Sequence, residues 1–230
     1  MKVFAISDLH LSAKADKPMN IFGGAWNNYW EVIRNNWKAQ VSDDDIVLIA
    51  GDISWAMTLD DAIADLDEIG KLSGKKVIIR GNHDYWWNSI SKVRAVLPEG
   101  MYAVQNDSIK FGNYVIFGSR GWVCPDKEYT DEDMKIYSRE TERMKLAVAS
   151  ALKKKDDGDK LIAMIHYPPF NVRREESNFT KLYQDNAVDS VVYGHLHGKN
   201  ARSDLKVNYN GVLYYLTSCD LVYNNLVRIY

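Results

Sequence analysis

The pattern that most constrains how this chain can fold is a series of short, β-branched apolar runs. Each is closed by polar turn residues, with longer helical stretches between. The runs are residues 3–6, 46–50, 77–79, 114–117, 161–165, 190–193, 212–216 and 226–229. They are apolar throughout rather than alternating, which predicts strands covered on both faces. Helical patterns fall at 26–39, aromatic on one side, at 59–72 and at 131–155. The second of these carries Ile63, Leu66 and Ile69 on one face and Asp60 and Asp61 in its first turn, where carboxylates complement the helix dipole. The third ends in Lys153, Lys154 and Lys155 before Asp156, Asp157, Gly158 and Asp159, the charge run of a solvated helix end and turn. Strand–helix alternation predicts an α/β fold, with more hairpin-like β structure in the last thirty residues. No repeat, low-complexity tract or linker interrupts the chain, so residues 1–230 read as a single domain.

Composition narrows the classes. With 46% hydrophobic residues the chain can build a sizeable core, and a formal net charge of -2 does not favour a general nucleic-acid binder. Cys124 and Cys219 stand far apart, so neither a disulfide framework nor a thiolate metal site is expected. Polar residues begin at Ser7, and no run is long enough for a membrane span, so a cytoplasmic location is expected and no membrane partner.

The polar residues that close the runs carry the chemistry. They are Asp8 and His10; Asp52, after Gly51; Asn82, His83 and Asp84, after Gly81; His166; and His195 and His197, between Gly194 and Gly198. All five histidines of the chain lie at these strand ends, the edge at which open α/β sheets bind ligands. Scattered structural histidines would not segregate this way. Imidazole, carboxylate and amide without sulfur suit Mn, Fe, Zn or Co. If the strand continues extended, Asp8 and His10 point to one side, and His195 and His197 share that spacing. Gly194 and Gly198 would permit a tight loop. One carboxylate, such as that of Asp52, can bridge two cations, and a metal pair clamps a phosphoryl group and makes hydroxide at neutral pH.

In order, the motifs are D-x-H (Asp8, His10), G-D (Gly51, Asp52), G-N-H-D (Gly81 to Asp84), a strand-end His (His166) and G-H-x-H (Gly194 to His197). This set resembles the calcineurin-like metallophosphoesterase superfamily over residues 8–197. The resemblance implies a four-layer α-β-β-α sandwich of two mixed sheets. It implies that Asp8, His10 and His197 hold one metal, that Asn82, His166 and His195 hold another, and that Asp52 bridges them. His83 would be the general acid or bind the phosphoryl group, and Asp84 would orient His83. Two divalent or trivalent ions, Mn, Fe or Zn, would be the cofactors. The implied activity is hydrolysis of a phosphomonoester or phosphodiester of a small substrate, nucleotide-like ones among the candidates, by metal-activated hydroxide. A DNA or RNA nuclease and a non-catalytic metal-binding scaffold are the alternatives.

The protein Ser/Thr phosphatases of the superfamily carry G-D-x-x-D-R-G, whereas here the block is Gly51-Asp52-Ile53-Ser54-Trp55-Ala56. The missing arginine argues against phosphoprotein substrates. Arg80 matches an arginine that those enzymes place near the phosphate, though a salt bridge at a strand end is the bland alternative. Leu196 stands where relatives often carry Thr, at a position that is not a ligand.

Aromatic residues crowd the motifs. Trp55, Tyr85 and Trp86 are candidate substrate contacts, a wall for stacking, with core packing as the alternative for Tyr85, Trp86 and Trp87. Trp26, Trp30 and Trp37 have core-stripe spacing. Arg173 and Arg174 are either solvated or available to an anionic substrate. Residues 120–155 are either a lid or an ordinary outer helix.

Overall fold

The structure, a computed structural model, describes residues 1–15, 17–198, 201 and 203–230. The apolar runs form two mixed sheets. In the first, β1 (Val3–Ile6), β2 (Ile46–Ile49), β3 (Lys75–Ile78) and β4 (Met101–Ala103) run parallel. In the second, β5 (Asp107–Phe111) lies antiparallel to β6 (Tyr114–Ser119), which continues in parallel through β7 (Lys160–Ile165), β8 (Ser190–Tyr193) and β10 (Val212–Leu216). β9 (Lys206–Tyr209) closes that sheet as a hairpin with β10, and β11 (Val227–Arg228) closes the first as an antiparallel neighbour of β1.

Successive side chains on a strand point to opposite faces, and both faces here are covered. Val3, Ala5, Ile46, Leu48 and Val77 of one sheet pack against Ile116, Ile162, Met164 and Val192 of the other. The alternate residues Phe4, Ile6, Val47 and Ile49 face α1 (Tyr29–Gln40), α2 (Leu59–Gly70) and α3 (Ile90–Val96). Leu161, Ala163 and Ile165 face α4 (Asp131–Leu152) and α5 (Asn178–Asp185). The result is the four-layer α-β-β-α sandwich expected above, with five α-helices among the described residues.

The first helix starts later than its aromatic pattern suggests. Trp26 sits in a 3-10 turn, Gly24–Trp26, and Asn28 takes a left-handed φ of 50° before Tyr29. Trp26 and Trp37 are nonetheless buried, and Trp30 packs against the same core. The helix α4 is an outer layer on the second sheet, burying Tyr137, Met144, Ala147, Val148 and Ala151. It is therefore not a lid. Its start is set by a reciprocal cap: Thr130 Oγ1 accepts the Asp133 N–H at 3.1 Å, and Asp133 accepts the Thr130 N–H at 3.2 Å. Thr130→Ala is expected to cost about 1 kcal/mol, read as a lower urea midpoint with an unchanged slope. Among the described residues, no helix is long and apolar enough to cross a membrane.

Candidate metal centre

The C-terminal ends of β1, β2, β3, β7 and β8 converge, because parallel strands in each sheet share one direction. The backbone turns sharply there. Asp8, His10, Asp52 and His195 all adopt left-handed φ values, of 57°, 46°, 52° and 69°. Strain of this kind at non-glycine residues persists only where surrounding bonds over-determine it. Asp8 and His10 are thus not on an extended strand, contrary to the i, i+2 expectation. The chain leaves β1 after Ile6, and Asp8 N–H and His10 N–H bond to the carbonyls of Gly51 and Asp52, at 3.0 Å each.

Asp8, His10 and Asp52 form a buried group whose ligand atoms lie within 4.8 Å of one another. Both ring nitrogens of His10 and Oδ2 of Asp52 are buried without a hydrogen-bond partner among the described residues. His10 Nε2 stands 3.7 Å from Asp52 Oδ2, and His166 Nε2 3.5 Å from the same oxygen. Asn82 Oδ1 lies 2.8 Å from His166 Nε2 and 2.8 Å from His195 Nδ1. His166 Nδ1 faces the Ala50 carbonyl at 2.9 Å, which turns Nε2 toward the Asp52 carboxylate. His197 completes the ring of residues, with its imidazole centroid 5.6 Å from that of His10. The structure therefore brings all seven candidate ligands to one place.

Electrostatics favour the ligand forms at His10, His195 and Asp52 and oppose them at Asp8 and His166. Burial pulls His10 and His195 down to about 3, leaving neutral imidazoles. Burial raises Asp8 to about 6, opposed by His166. Burial also works against charge on Asp52, but His166, His10 and the His83 N–H outweigh it and hold the carboxyl below its ordinary value. Burial works against charge on His166 too, but Asp52, Asp8 and the Ala50 carbonyl outweigh it and hold the ring up to about 9. A neutral buried imidazole with both nitrogens unpaired, beside an unpaired carboxylate oxygen, is costly to leave without a ligand. These residues fit metal ions on that ground.

Glycines make room for this packing. A Cβ on Gly81 would collide with Asp52 Oδ1, and one on Gly194 would sit 2.5 Å from Asp8 Oδ2. Support also comes from residues that the motif reading passed over. Ser7 Oγ donates to Asp8 Oδ2 at 2.6 Å, Thr217 Oγ1 donates to Ser7 Oγ at 3.3 Å, and Asp220 accepts the Gly198 N–H at 2.7 Å. Thr217 and Asp220 follow β10, and only their place after a parallel strand could have signalled them.

His83 lies at the mouth, half-buried, with its ring centroid 5.6 Å from that of His10 and 4.5 Å from that of Trp55. Burial lowers its pKa. Asp84 does not bond to the His83 ring, contrary to the expected orienting role. Its carboxylate accepts the N–H groups of Ile53, Ser54 and Gly81 and the indole N–H of Trp86, at 2.8, 3.1, 2.7 and 2.9 Å. It ties the loop after β2 to the loop after β3, and burial together with Asp52 raises it to about 6.

The expected aromatic wall divides. Trp55 stacks on His10 at 4.7 Å with 20° between planes, and Tyr85 is exposed beside His83. Trp86 is core rather than substrate contact: it is 2% exposed and its N–H is taken by Asp84. Trp87 is buried too, donating to Gln105. Arg173 pairs with Asp126 and Glu175, and Arg174 with Asp204. Arg80 extends into a small pocket with Arg120 and Arg143.

A family model, calcineurin-like phosphoesterase, matches residues 1–199. With this fold and a possible metal site at Asp8, His10 and Asp52, the chain belongs to the calcineurin-like phosphoesterase family. Two solved structures share the fold. One is a protein of unknown function, AQ665, from Aquifex aeolicus: 14% identity, TM-score 0.51, covering 99% of this chain and 95% of that one. The other is TT1561 of Thermus thermophilus: 12% identity, TM-score 0.59, covering 98% and 96%. No match to the chain is found among curated proteins.

Proposed function

We propose that the protein is a single-domain, dinuclear metal-dependent phosphohydrolase acting on a small phosphomonoester or phosphodiester. The observation that supports this best is the set of orphaned buried atoms, His10 Nδ1 and Nε2 and Asp52 Oδ2, inside a ring of further nitrogen and oxygen donors. Asp8, His10 and His197 would hold one ion, Asn82, His166 and His195 the other, with Asp52 between them. Two such ions would supply positive charge to phosphoryl oxygens and acidity to an attacking water. The chain's own part is to hold the ligands rigid and to handle protons. Asp84 locks the loop that carries Asn82 and His83. His83, at the mouth, would give a proton to the leaving oxygen. Trp55, stacked on His10, shields that ring from water on one side.

The test is metal content, with hydrolysis of bis-p-nitrophenyl phosphate and p-nitrophenyl phosphate measured on the same sample of protein purified without chelator. About two Mn, Fe or Zn ions per chain and turnover of one ester, lost in His83→Ala, are expected. A chain that takes up no metal would overturn the assignment. Metal without turnover of any ester would favour the scaffold reading, and cleavage of single- or double-stranded nucleic acid the nuclease.

A further inference from the structure

Beside the metal centre lies a second polar pocket of about 90 Å³, lined by Arg80, Gln105, Asn106, Ser119, Arg120, Glu140 and Arg143 with Val104. It belongs to the same wall of the fold. Arg80 is the residue before Gly81 in the loop that carries Asn82 and His83, and the Arg120 carbonyl accepts the N–H of His166 at 3.0 Å.

Its charge is unbalanced. Glu140, 1% exposed, is held by Ser119 Oγ at 3.0 Å and by Arg143 at 2.6 Å, and lies 3.5 Å from Arg120. One carboxylate therefore answers two guanidinium groups. Arg120 also lies over the Trp122 ring, 5.1 Å from its centroid. Asp84 is the other acid near Arg80, but its oxygens are already taken by four N–H donors. Arg80 Nε is buried with no hydrogen-bond partner among the described residues. An arginine with its buried Nε unpaired, in a cavity with two further guanidinium groups, matches an oxoanion.

Resting on the phosphohydrolase reading, we infer that the Arg80–Arg120–Arg143 pocket is an oxoanion subsite that takes a second anionic group of the substrate, a phosphate set apart from the ester being cleaved. Arg80 thereby acts in selecting the substrate, through a group other than the reacting phosphoryl. Glu140 is the positioning residue that holds Arg120 and Arg143 toward the cavity.

The test compares a nucleoside p-nitrophenyl phosphodiester with and without a second phosphate on the ribose. In the wild type the doubly anionic ester is expected to have the higher kcat/KM. Arg120→Met and Arg143→Met should each lower the ratio of the two kcat/KM values by roughly tenfold or more, mainly through KM, with Arg143→Lys recovering part of it. Arg143 is 44% exposed but pairs with the buried Glu140, so each variant's thermal melt is recorded before its ratio is read, and Arg143→Lys keeps the positive charge beside that carboxylate. A ratio unchanged in both variants would overturn the subsite. Independently, pyrophosphate should raise the unfolding temperature of chelator-treated wild type but not of the Arg120→Met, Arg143→Met double variant. Stabilisation that is lost in the double variant while the ester ratio stays constant would overturn the substrate role and leave a site for free phosphate. If no ester is hydrolysed but that stabilisation is seen and lost, the phosphohydrolase reading fails and the oxoanion site stands.

Discussion

Asp52→Asn is expected to lower phosphoester turnover by a factor on the order of 10³, with the chelator-treated protein still folded. The substitution keeps shape. Oδ1 can still accept the His83 N–H, at 2.8 Å in the wild type, and Gly81 leaves no space for anything larger. It changes the atom that matters. Oδ2, which has no hydrogen-bond partner and lies 3.7 Å and 3.5 Å from nitrogens of His10 and His166, becomes an amide nitrogen with protons directed at the ligand set. On the proposed reading, an anion that would bridge two cations is replaced by a neutral donor. The loss should appear in metal stoichiometry as well as in rate. An ion at a hundred times its dissociation constant stabilises a fold by about 2.7 kcal/mol, and Asp52→Asn should forfeit most of that shift in a thermal melt with Mn²⁺. A variant that keeps full metal content and turnover would remove Asp52 from the bridging position.

Asp84→Ala should have the opposite profile: a large loss of stability that metal does not restore. Four buried donors, from Ile53, Ser54, Gly81 and Trp86, end on this carboxylate. Alanine would leave all four unpaired, and each buried unsatisfied donor costs about 1–3 kcal/mol. Local relaxation and water entry recover part of that, so a net loss of about 3–5 kcal/mol is expected. For a chain of this size, that is a fall in melting temperature of roughly 10 °C, with chelator or without it. Asp84→Asn should fall between, since its amide would meet the Gly81 N–H donor against donor while three bonds remain. If Asp84→Ala melted like wild type and lost only activity, the carboxylate would act on His83 rather than on the two loops.

The contrast between these neighbours marks where sequence reading ended. The apolar runs, their polar closures and the placement of every histidine at a strand end were legible in the sequence. Each is encoded locally, by β-branched residues in short unbroken runs and by turn residues next to them. The family motifs singled out Asp8, His10, Asp52, Asn82, His166, His195 and His197 for the same reason: they are short and adjacent in the chain. Some shorter elements escaped, α3, α5, β4, β5 and β9 among them. A strand such as β9, half-exposed at an edge, carries little apolar periodicity.

Long-range packing settles which neighbours in the chain act alike. His83, Asp84 and Trp86 stand within four residues of one another, yet one lies at the mouth, one ties two loops and one is core. The left-handed turns at Asp8, His10, Asp52 and His195 follow from bonds to residues distant in the chain, such as Gly51 for Asp8, and so have no local signature. The same holds for the arginine pocket. Residues 80, 120 and 143 come from the end of β3, the end of β6 and the middle of α4, and only sheet order and helix packing bring their charges together. Strands, the main helices and the donor atoms available could be read without any coordinates, because they depend on near neighbours. The distances between those atoms, and the work each one does, arise only when two sheets pack with their parallel strands ending on one side.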